Sequence, residues 1–347
     1  MSPDAAVLRI VSAARRLAER EGAPRASLVA SLVATTGLSP EGVELGLARH
    51  LEIDPSPEEI ASLVASAAPT REVAVVLSAN VFVGALRAIA LARAASERVR
   101  VRPSRREPAF ARALVAELGD PAVVLDEALA VEDLRGGELH VYGHDATISD
   151  VRRKVAPGVL VRGHGSGLGV AWVTRAADLE PSASALASDV VPFDQQGCLS
   201  PRVVLVEGDA ARARALGEAL HGALTELGRR VPRGEVPVDV RASAAMWSAS
   251  LAYAGEVLEG ADHVVAVADE AAPAALPPTH RHVLVVPIRD AAALAVAVAP
   301  LAHAVVAFGC DDDEAARAVA PAWSRRSRLG AMQRPRLDGP VDGRPAR

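Results

Sequence analysis

The stretch Asp194-Gln195-Gln196-Gly197-Cys198-Leu199-Ser200-Pro201 separates two apolar runs, residues 187–191 and 203–206. It is polar, contains a glycine and ends in a proline, which is typical of a loop. Ser200-Pro201 predicts a helix start, because serine caps helices and proline fits their first turn. A thiol beside a glycine and near a helix start is placed for stabilisation of its thiolate by backbone N–H groups. A buried structural cysteine is the alternative interpretation of Cys198.

Composition restricts the class of protein. The chain has 347 residues, which suggests two or three domains. Half of the residues are hydrophobic but only 3% are aromatic, so the core must consist of Ala, Val and Leu. That composition favours helices packed on Val-rich strands. A formal net charge of -5 gives no basic excess, which argues against nucleic acid as the main partner.

Two cysteines do not make a disulfide framework, so we expect a cytoplasmic protein. Charged residues occur throughout the first twenty residues, which is not typical of a signal peptide. An uncharged apolar run of about 18 residues is also lacking, so no membrane span is expected.

Hydrophobic periodicity divides the chain. Residues 1–67 have apolar residues at helical spacing, and Ser39-Pro40 and Ser56-Pro57 are helix starts, which predicts a helical N-terminal segment. Strands are predicted at residues 73–77, 99–104, 122–125, 138–142, 159–162, 170–173, 203–206, 263–268, 282–288 and 304–308. Helices are predicted between them at residues 83–95, 108–118, 148–155, 209–229 and 247–258, and residues 322–347 are predicted to be irregular.

This alternation predicts an α/β protein with mainly parallel sheets. Parallel sheets bind ligands at the carboxyl ends of their strands. Asn80, Arg102 and Gly143 all lie at the carboxyl ends of predicted strands and are therefore expected at that edge.

Five separated pieces resemble one known family. They are Ser78-Ala79-Asn80-Val81-Phe82, residues 99–104, Val141-Tyr142-Gly143, residues 193–201, and residues 327–335 with Asp342-Gly343. In this order they resemble the aldehyde dehydrogenase superfamily and, within it, the acyl-CoA reductase (LuxC-like) family. The resemblance implies two Rossmann-like lobes after the helical segment: an NADP-binding lobe at residues 68–193 and a catalytic lobe at residues 194–310. A C-terminal helix and an irregular tail at residues 311–347 would follow.

The resemblance makes Cys198 the nucleophile that attacks a thioester carbonyl. A thiol suits this reaction, because exchange between two thioesters is nearly isoenergetic. Asn80 matches the side-chain amide that stabilises the oxyanion together with the N–H of Cys198. Without the resemblance, Asn80 would be interpreted as an ordinary turn residue.

The resemblance also implies a nucleotide site. Arg102 stands where the superfamily has a lysine that contacts the cofactor, followed by Ser104. Arg105 and Arg106 stand where NAD-preferring relatives often have a glutamate, which favours a 2′-phosphate and hence NADPH. A solvated basic helix start is the alternative interpretation of these arginines. Gly143 and the helix from Thr147 would offer close backbone approach and free N–H groups to the cofactor.

His164 lies where oxidative aldehyde dehydrogenases have the glutamate that activates water. Residues 159–173 contain no glutamate, which disfavours hydrolysis of a thioacyl enzyme. His164 is a candidate acid/base group, or else an inert surface residue. Cys310 is followed by three aspartates and a glutamate, which disfavour a thiolate. The spacing of Cys and His residues predicts no metal site, and His280 and His282 are expected at the surface.

We therefore expect reduction of an acyl thioester to an aldehyde by NADPH, through a thioacyl intermediate on Cys198. The acyl donor would be acyl-CoA or an acyl carrier protein. Two alternatives stay open: a reversible CoA-acylating dehydrogenase of short aldehydes, and a diverged relative without catalysis. The resemblance also suggests a homo-oligomer.

Overall fold

The computed structural model describes residues 1–269 and 276–344. The N-terminal residues form four helices, which confirms the helical segment. They are α1 (Pro3–Ala18), α2 (Gly22–Thr36), α3 (Pro40–Arg49) and α4 (Pro57–Ser66). Serine side chains cap α1, α3 and α4, and each of these helices has proline in its first turn. The serine-proline pairs in the sequence therefore mark helix starts for the physical reason expected of them.

The next part of the chain forms a five-stranded sheet. Its strands are β1 (Val73–Val76), β2 (Val99–Arg102), β3 (Val123–Leu125), β4 (Glu138–Tyr142) and β5 (Leu160–His164). Helices α5 (Gly84–Ala95), α6 (Ala109–Leu118) and α7 (Asp145–Lys154) connect them. The strands are parallel in the order β3-β2-β1-β4-β5. The order reverses between β1 and β4, so a ligand is expected at their carboxyl ends.

A second, seven-stranded sheet follows. Its strands are β6 (Leu168–Val173), β7 (Pro201–Glu207), β8 (Gly255–Glu259), β9 (Val264–Ala268), β10 (His282–Ile288), β11 (Val305–Cys310) and β12 (Arg325–Arg328). The helices around it are α8 (Leu179–Val190), α9 (Ala210–Arg230), α10 (Val238–Leu251), α11 (Ala291–Val298) and α12 (Asp313–Val319). The order is β12-β11-β6-β7-β10-β9-β8, and only β8 runs antiparallel to its neighbour in this sheet. The two parallel-sheet units confirm the predicted α/β fold class.

The sheet boundary differs from the predicted lobe boundary. The first sheet ends with β5 and the second begins with β6, so the chain changes sheets at residues 165–167 and not at residue 194. β6 pairs with both β7 and β11 in the middle of the second sheet. Its apolar sequence fits this buried place as well as it fits the first sheet, so the pattern alone could not assign it.

Three predictions of individual elements were wrong. Pro201 begins strand β7 and not a helix, which is allowed because the first residue of a strand can lack an N–H donor. The helix predicted at residues 247–258 lies at Val238–Leu251, and Gly255 then begins β8. A Cβ at Gly255 would lie 2.0 Å from the carbonyl oxygen of Val267, so only glycine permits this close pairing. The irregular tail contains β12, whose arginine-rich sequence gives no strand signal; residues 345–347 lie outside the described part.

Candidate active site

The loop that carries Cys198 starts from an unusual backbone. Phe193, Asp194 and Gln195 have φ values of 54°, 48° and 60°. Side chains other than glycine rarely adopt such values, and each residue costs about 1–3 kcal/mol. The surrounding contacts must therefore hold this backbone in place.

A buried ion pair provides one of these contacts. Oδ1 of Asp194 accepts a hydrogen bond from Nε of Arg281 at 2.9 Å and forms an ion pair with Nη2 of the same side chain at 2.7 Å. Both side chains are almost fully buried. Oδ2 of Asp194 accepts from the N–H of Gly234 at 2.9 Å, and Nη1 of Arg281 donates to the carbonyl of Val231 at 2.9 Å. The two charges are thus compensated by each other and by the backbone, as buried charges require.

Gln195 provides the second contact. Its Nε2 donates to the carbonyl oxygens of Pro201 and His282 at 2.9 and 2.8 Å, and its Oε1 accepts from the N–H of His282 at 2.8 Å. The side chain is fully buried. It therefore fastens the start of the Cys198 loop to both β7 and β10. His282 and His280 are buried beside this loop, so their predicted surface position was wrong.

Cys198 itself is half-buried between α8 and β7. Ser200 fixes the far end of the loop, because its Oγ donates to the carbonyl of Asp189 at 2.8 Å. Burial, reinforced by the negative charge of Asp342, raises the pKa of the Cys198 thiol to about 11, and the positive charge of Arg344 opposes this. Since Pro201 begins a strand, the thiol lacks the helix start that was expected to stabilise its thiolate.

Val81, the residue after Asn80, lies against this loop from the other sheet. A Cβ at Gly197 would lie 3.1 Å from Cγ2 of Val81, so the turn after β1 touches the Cys198 loop. Oδ1 of Asn80 accepts a hydrogen bond from Nη2 of Arg106 at 2.7 Å. This contact turns the donating end of the amide, Nδ2, away from Arg106. No signal in the sequence linked Arg106 to Asn80.

The remaining residues of the predicted nucleotide site divide into two groups. Nη1 of Arg102 donates to the carbonyl of Leu129 at 2.9 Å, and burial lowers the pKa of its guanidinium. The guanidinium of Arg102 is therefore already hydrogen-bonded to the protein backbone. Ser104 accepts from the N–H of Arg106 at 3.3 Å, and Arg105 is exposed.

Gly143 and Thr147 lie at the carboxyl end of β4. A Cβ at Gly143 would meet only Thr147, at 3.7 Å, so the chain's own packing does not require glycine there. Thr147 and the first turn of α7 are exposed. An open space over a glycine, a free helix start and the cation of Arg105 at one sheet edge fit a phosphate-bearing dinucleotide.

His164 ends β5 and stacks on Tyr142, with ring centroids 4.3 Å apart. Burial and the neighbouring His140 lower the pKa of His164 to about 4. The imidazole is therefore neutral at pH 7, and its low pKa makes it a weak general base.

The C-terminal segment, residues 329–344, joins the two sheets and was assigned no role by the sequence. Arg87 of α5 holds the carbonyls of Gly339 and Arg336. Nη1 of Arg344 donates to the carbonyl of Ser166 at 2.8 Å, next to His164. Nη2 of Arg344 pairs with Asp342 at 2.6 Å. The segment thus places this charged pair beside both the β5 edge and Cys198.

Cys310, the second cysteine, is more deeply buried than Cys198. It is fully buried at the end of β11, and burial together with Asp311 and Asp312 raises its pKa to about 12. Within residues 1–269 and 276–344 there is no group of three or more His, Cys, Asp or Glu side chains that could hold a metal ion. In the same ranges no helix combines the length and apolar character needed to cross a bilayer.

One known family matches most of the chain. The sequence model of the acyl-CoA reductase (LuxC) family matches residues 62–344. The chain therefore belongs to the acyl-CoA reductase (LuxC) family, which confirms the resemblance seen in the sequence. No curated protein sequence matches the chain.

Solved structures confirm an aldehyde dehydrogenase-like fold. An oxidoreductase from Marinobacter aquaeolei superposes with a TM-score of 0.74 and 14% identity, over 95% of this chain and 78% of that one. An NAD-dependent benzaldehyde dehydrogenase from Corynebacterium glutamicum gives a TM-score of 0.68 and 17% identity, over 94% and 81%. A proline utilization A variant from Bradyrhizobium japonicum gives 0.70 and 16%, over 97% of this chain but only 39% of that one. At these identities the likeness shows the fold alone.

Proposed function

We propose that this protein reduces an acyl thioester to an aldehyde, with Cys198 as the acyl acceptor. The observation that supports this best is the contact between the Asn80 turn and the Cys198 loop. This contact, between Val81 and Gly197, supports an approach of the Asn80 amide from the first sheet to the Cys198 thiol at the edge of the second. Family membership and the aldehyde dehydrogenase-like fold support the same class of reaction.

The first step is transfer of the acyl group. The Cys198 thiolate forms a bond to the thioester carbon, and the carbonyl oxygen becomes an oxyanion. Nδ2 of Asn80 and the N–H of Cys198 are the proposed donors to that oxyanion. When the oxyanion collapses, the bond to the CoA sulfur breaks. The departing thiolate takes up a proton equivalent to the one that Cys198 lost.

A nicotinamide cofactor, when bound, supplies the hydride for reduction. Arg105, Gly143, Thr147 and the start of α7 are the residues proposed to hold it, and Ser104 positions the loop beside them. The exposed cation of Arg105 favours a 2′-phosphate and hence NADPH. Arg102 and Arg106 are proposed in supporting roles, because each already donates to the protein.

His164 is proposed to exclude water and to shape the pocket. Its lowered pKa and its stacking on Tyr142 suit a neutral, fixed ring better than a proton acceptor. Without a strong base, water is not activated, so the thioacyl enzyme is spared from hydrolysis.

The test is a coupled assay with purified full-length protein, an acyl-CoA and either NADPH or NADH. We expect stoichiometric formation of aldehyde and free CoA with consumption of the reduced cofactor, faster with NADPH. Formation of carboxylic acid in place of aldehyde would contradict the reductase assignment. Rapid formation of acyl-CoA from short aldehydes would favour the reversible dehydrogenase instead.

One observation favours a non-catalytic relative, namely the raised pKa of the Cys198 thiol. That alternative predicts no covalent acyl adduct with any thioester at any pH between 7 and 9. The acylation measurements below distinguish the two.

A further inference from the structure

Helix α3 of the N-terminal segment packs against both turns of the candidate site. Gly46 lies on its buried face. A Cβ built at Gly46 would lie 2.8 Å from Cζ of Phe82 and 3.0 Å from Cε1 of Phe193. Phe82 belongs to the turn after β1 that carries Asn80, and Phe193 begins the backbone that leads to Cys198. A glycine at position 46 therefore lets two aromatic rings, one from each turn, meet against the helix.

The two rings have little room to move. Phe82 and Phe193 pack edge to face with their ring centroids 5.7 Å apart, and both are almost fully buried. The ring of Phe110, on α6, also packs against Phe82 at a centroid distance of 5.5 Å. Protein interiors are close-packed, so a ring that is displaced here must move its neighbours or its own backbone. A displacement of either ring is therefore expected to change the distance between the two turns.

His50, at the end of α3, extends this contact to the C-terminal segment. Its ring packs edge-on against Phe193, with the centroids 5.5 Å apart. Its Nδ1 donates a hydrogen bond to the carbonyl of Gln333 at 2.9 Å. The side chain of Gln333 lies against the Cys198 loop, because a Cβ at Gly197 would be 3.4 Å from its Oε1. The end of α3 thus connects the start of the loop with the side chain that packs on its middle.

Building on the proposed function, we propose that Gly46 is a positioning residue, which sets the distance between the Asn80 turn and the Cys198 loop. It acts through the rings of Phe82 and Phe193 and not by contact with the substrate. A side chain at position 46 pushes the two rings, and with them the two turns, apart. The amide of Asn80 then lies too far from the acyl group on Cys198, whereas the thiol keeps its own loop. The N-terminal helices thereby take part in acylation, although the residues that carry the family resemblance lie outside them.

The first measurement reports the distance between the turns without any reaction of a thioester. A Cβ at Gly197 would lie 3.1 Å from Cγ2 of Val81, so cysteines at these two positions come within disulfide range. The chain used carries Val81→Cys and Gly197→Cys, with Cys198→Ala and Cys310→Ala to remove the native thiols. We expect oxidised glutathione to form the disulfide, and Gly46→Ala to slow its formation by roughly fivefold or more.

The matched control for this measurement is Gly222→Ala on α9. It also adds a methyl group to a helical glycine, but its Cβ would meet no described atom within 4 Å. The rate of disulfide formation should therefore stay unchanged. Equal rates in the Gly46→Ala and Gly222→Ala chains would overturn the proposal.

The second measurement is the rate at which butanoyl-CoA acylates Cys198 in the full-length protein with both native cysteines. Gly46→Ala should lower this rate about 10- to 100-fold, because a misplacement of roughly 1 Å can cost a hundredfold. Alkylation of Cys198 by iodoacetamide at the same pH should change by less than about twofold, since it needs the thiolate but no oxyanion donor. Loss of both reactions together would show that the variant only destabilises the chain.

Two double variants test the route of the effect. Adding Gly46→Ala to Asn80→Ala should cause no further loss of acylation, because the same donor is already missing. Phe82→Leu alone should slow acylation by roughly fivefold, since it loosens the contact between the rings. Added to Gly46→Ala, it makes room for the new methyl group and should restore the rate to that of Phe82→Leu alone. The single Phe82→Leu variant keeps the proposal testable where Gly46→Ala does not fold: unchanged disulfide and acylation rates in it would overturn the proposal.

The outcomes separate this proposal from the general one. If no thioester acylates Cys198 in the wild-type chain, the proposed function fails, and the disulfide rates still decide whether Gly46 sets the distance. If Asn80→Ala slows acylation but Gly46→Ala does not, only the positioning role of Gly46 fails.

Discussion

The Cys198 loop and the turn that carries Asn80 are in contact, yet they are held in different ways. The loop rests on Asp194 and Gln195, which are fully buried and hydrogen-bonded to distant strands. The amide of Asn80, in the turn after β1, is held by one hydrogen bond from the exposed guanidinium of Arg106. The difference teaches that the fold fixes the position of the thiol, whereas a single surface contact orients the amide that we propose as the oxyanion donor.

The largest effect should come from breaking the support of the loop. Arg281→Met leaves the carboxylate of Asp194 buried without its cation. We expect the free energy of unfolding to fall by about 3–5 kcal/mol, measured by urea denaturation.

The control for this variant is Arg214→Met, which breaks an exposed pair with Asp269. Such a pair contributes about 0–1 kcal/mol. Equal destabilisation by the two substitutions would show that the buried pair does not hold the loop.

The second effect concerns pH. A thiol pKa of about 11 leaves Cys198 protonated at pH 7, and the thiolate fraction then rises tenfold per pH unit. We therefore expect the acylation rate to increase about a hundredfold from pH 7 to pH 9. His164→Gln should leave this slope unchanged, because His164 is already deprotonated throughout the range. A rate that does not vary with pH would mean that the thiolate is formed by a group not identified at this site.

The third effect tests the surface contact at the edge. Asn80→Ala and Arg106→Met should each slow acylation by roughly 10- to 100-fold, with a smaller change in KM for the acyl-CoA. Because Arg106 is proposed to act through Asn80, the double variant should be no slower than Asn80→Ala alone. Arg106→Lys should recover part of the rate. Multiplicative effects in the double variant would show that Arg106 has a separate role.

The smallest expected effect distinguishes the role proposed for Arg105 from the role proposed for Arg106. Arg105→Met should raise KM for NADPH by about fivefold, the effect of one partly exposed charge pair, and should leave KM for NADH unchanged. The acylation rate should be unaffected, which makes this variant the charge-matched control for Arg106→Met. A similar rise in KM for both cofactors would remove the proposed 2′-phosphate contact.

The sequence predicted most of the fold because its strands are Val-rich and its helices begin with clear caps. The sequence-based prediction failed where tertiary contacts determine the local structure. β12 is a strand only because β11 offers it a partner, and Gly255 begins β8 because glycine permits close approach to β9. The assignment of β6 to the second sheet likewise depends on its neighbours and not on its own pattern.

The candidate site residues that the sequence could name lie in short motifs. Asn80 and Cys198 each stand in a local pattern, and the structure brings their turns together. The residues that the sequence missed act over long separations. Arg281 is 87 residues from Asp194, and Arg344 is 178 residues from Ser166. No local spacing could have linked these pairs, so their roles required the folded chain.

The most direct test of the central claim is intact-mass and peptide analysis after incubation with butanoyl-CoA at pH 9, without cofactor. We predict one added butanoyl group per chain, located on Cys198, absent from Cys198→Ala and retained in Cys310→Ala. An unmodified wild-type chain, or an adduct that persists in Cys198→Ala, would contradict the account.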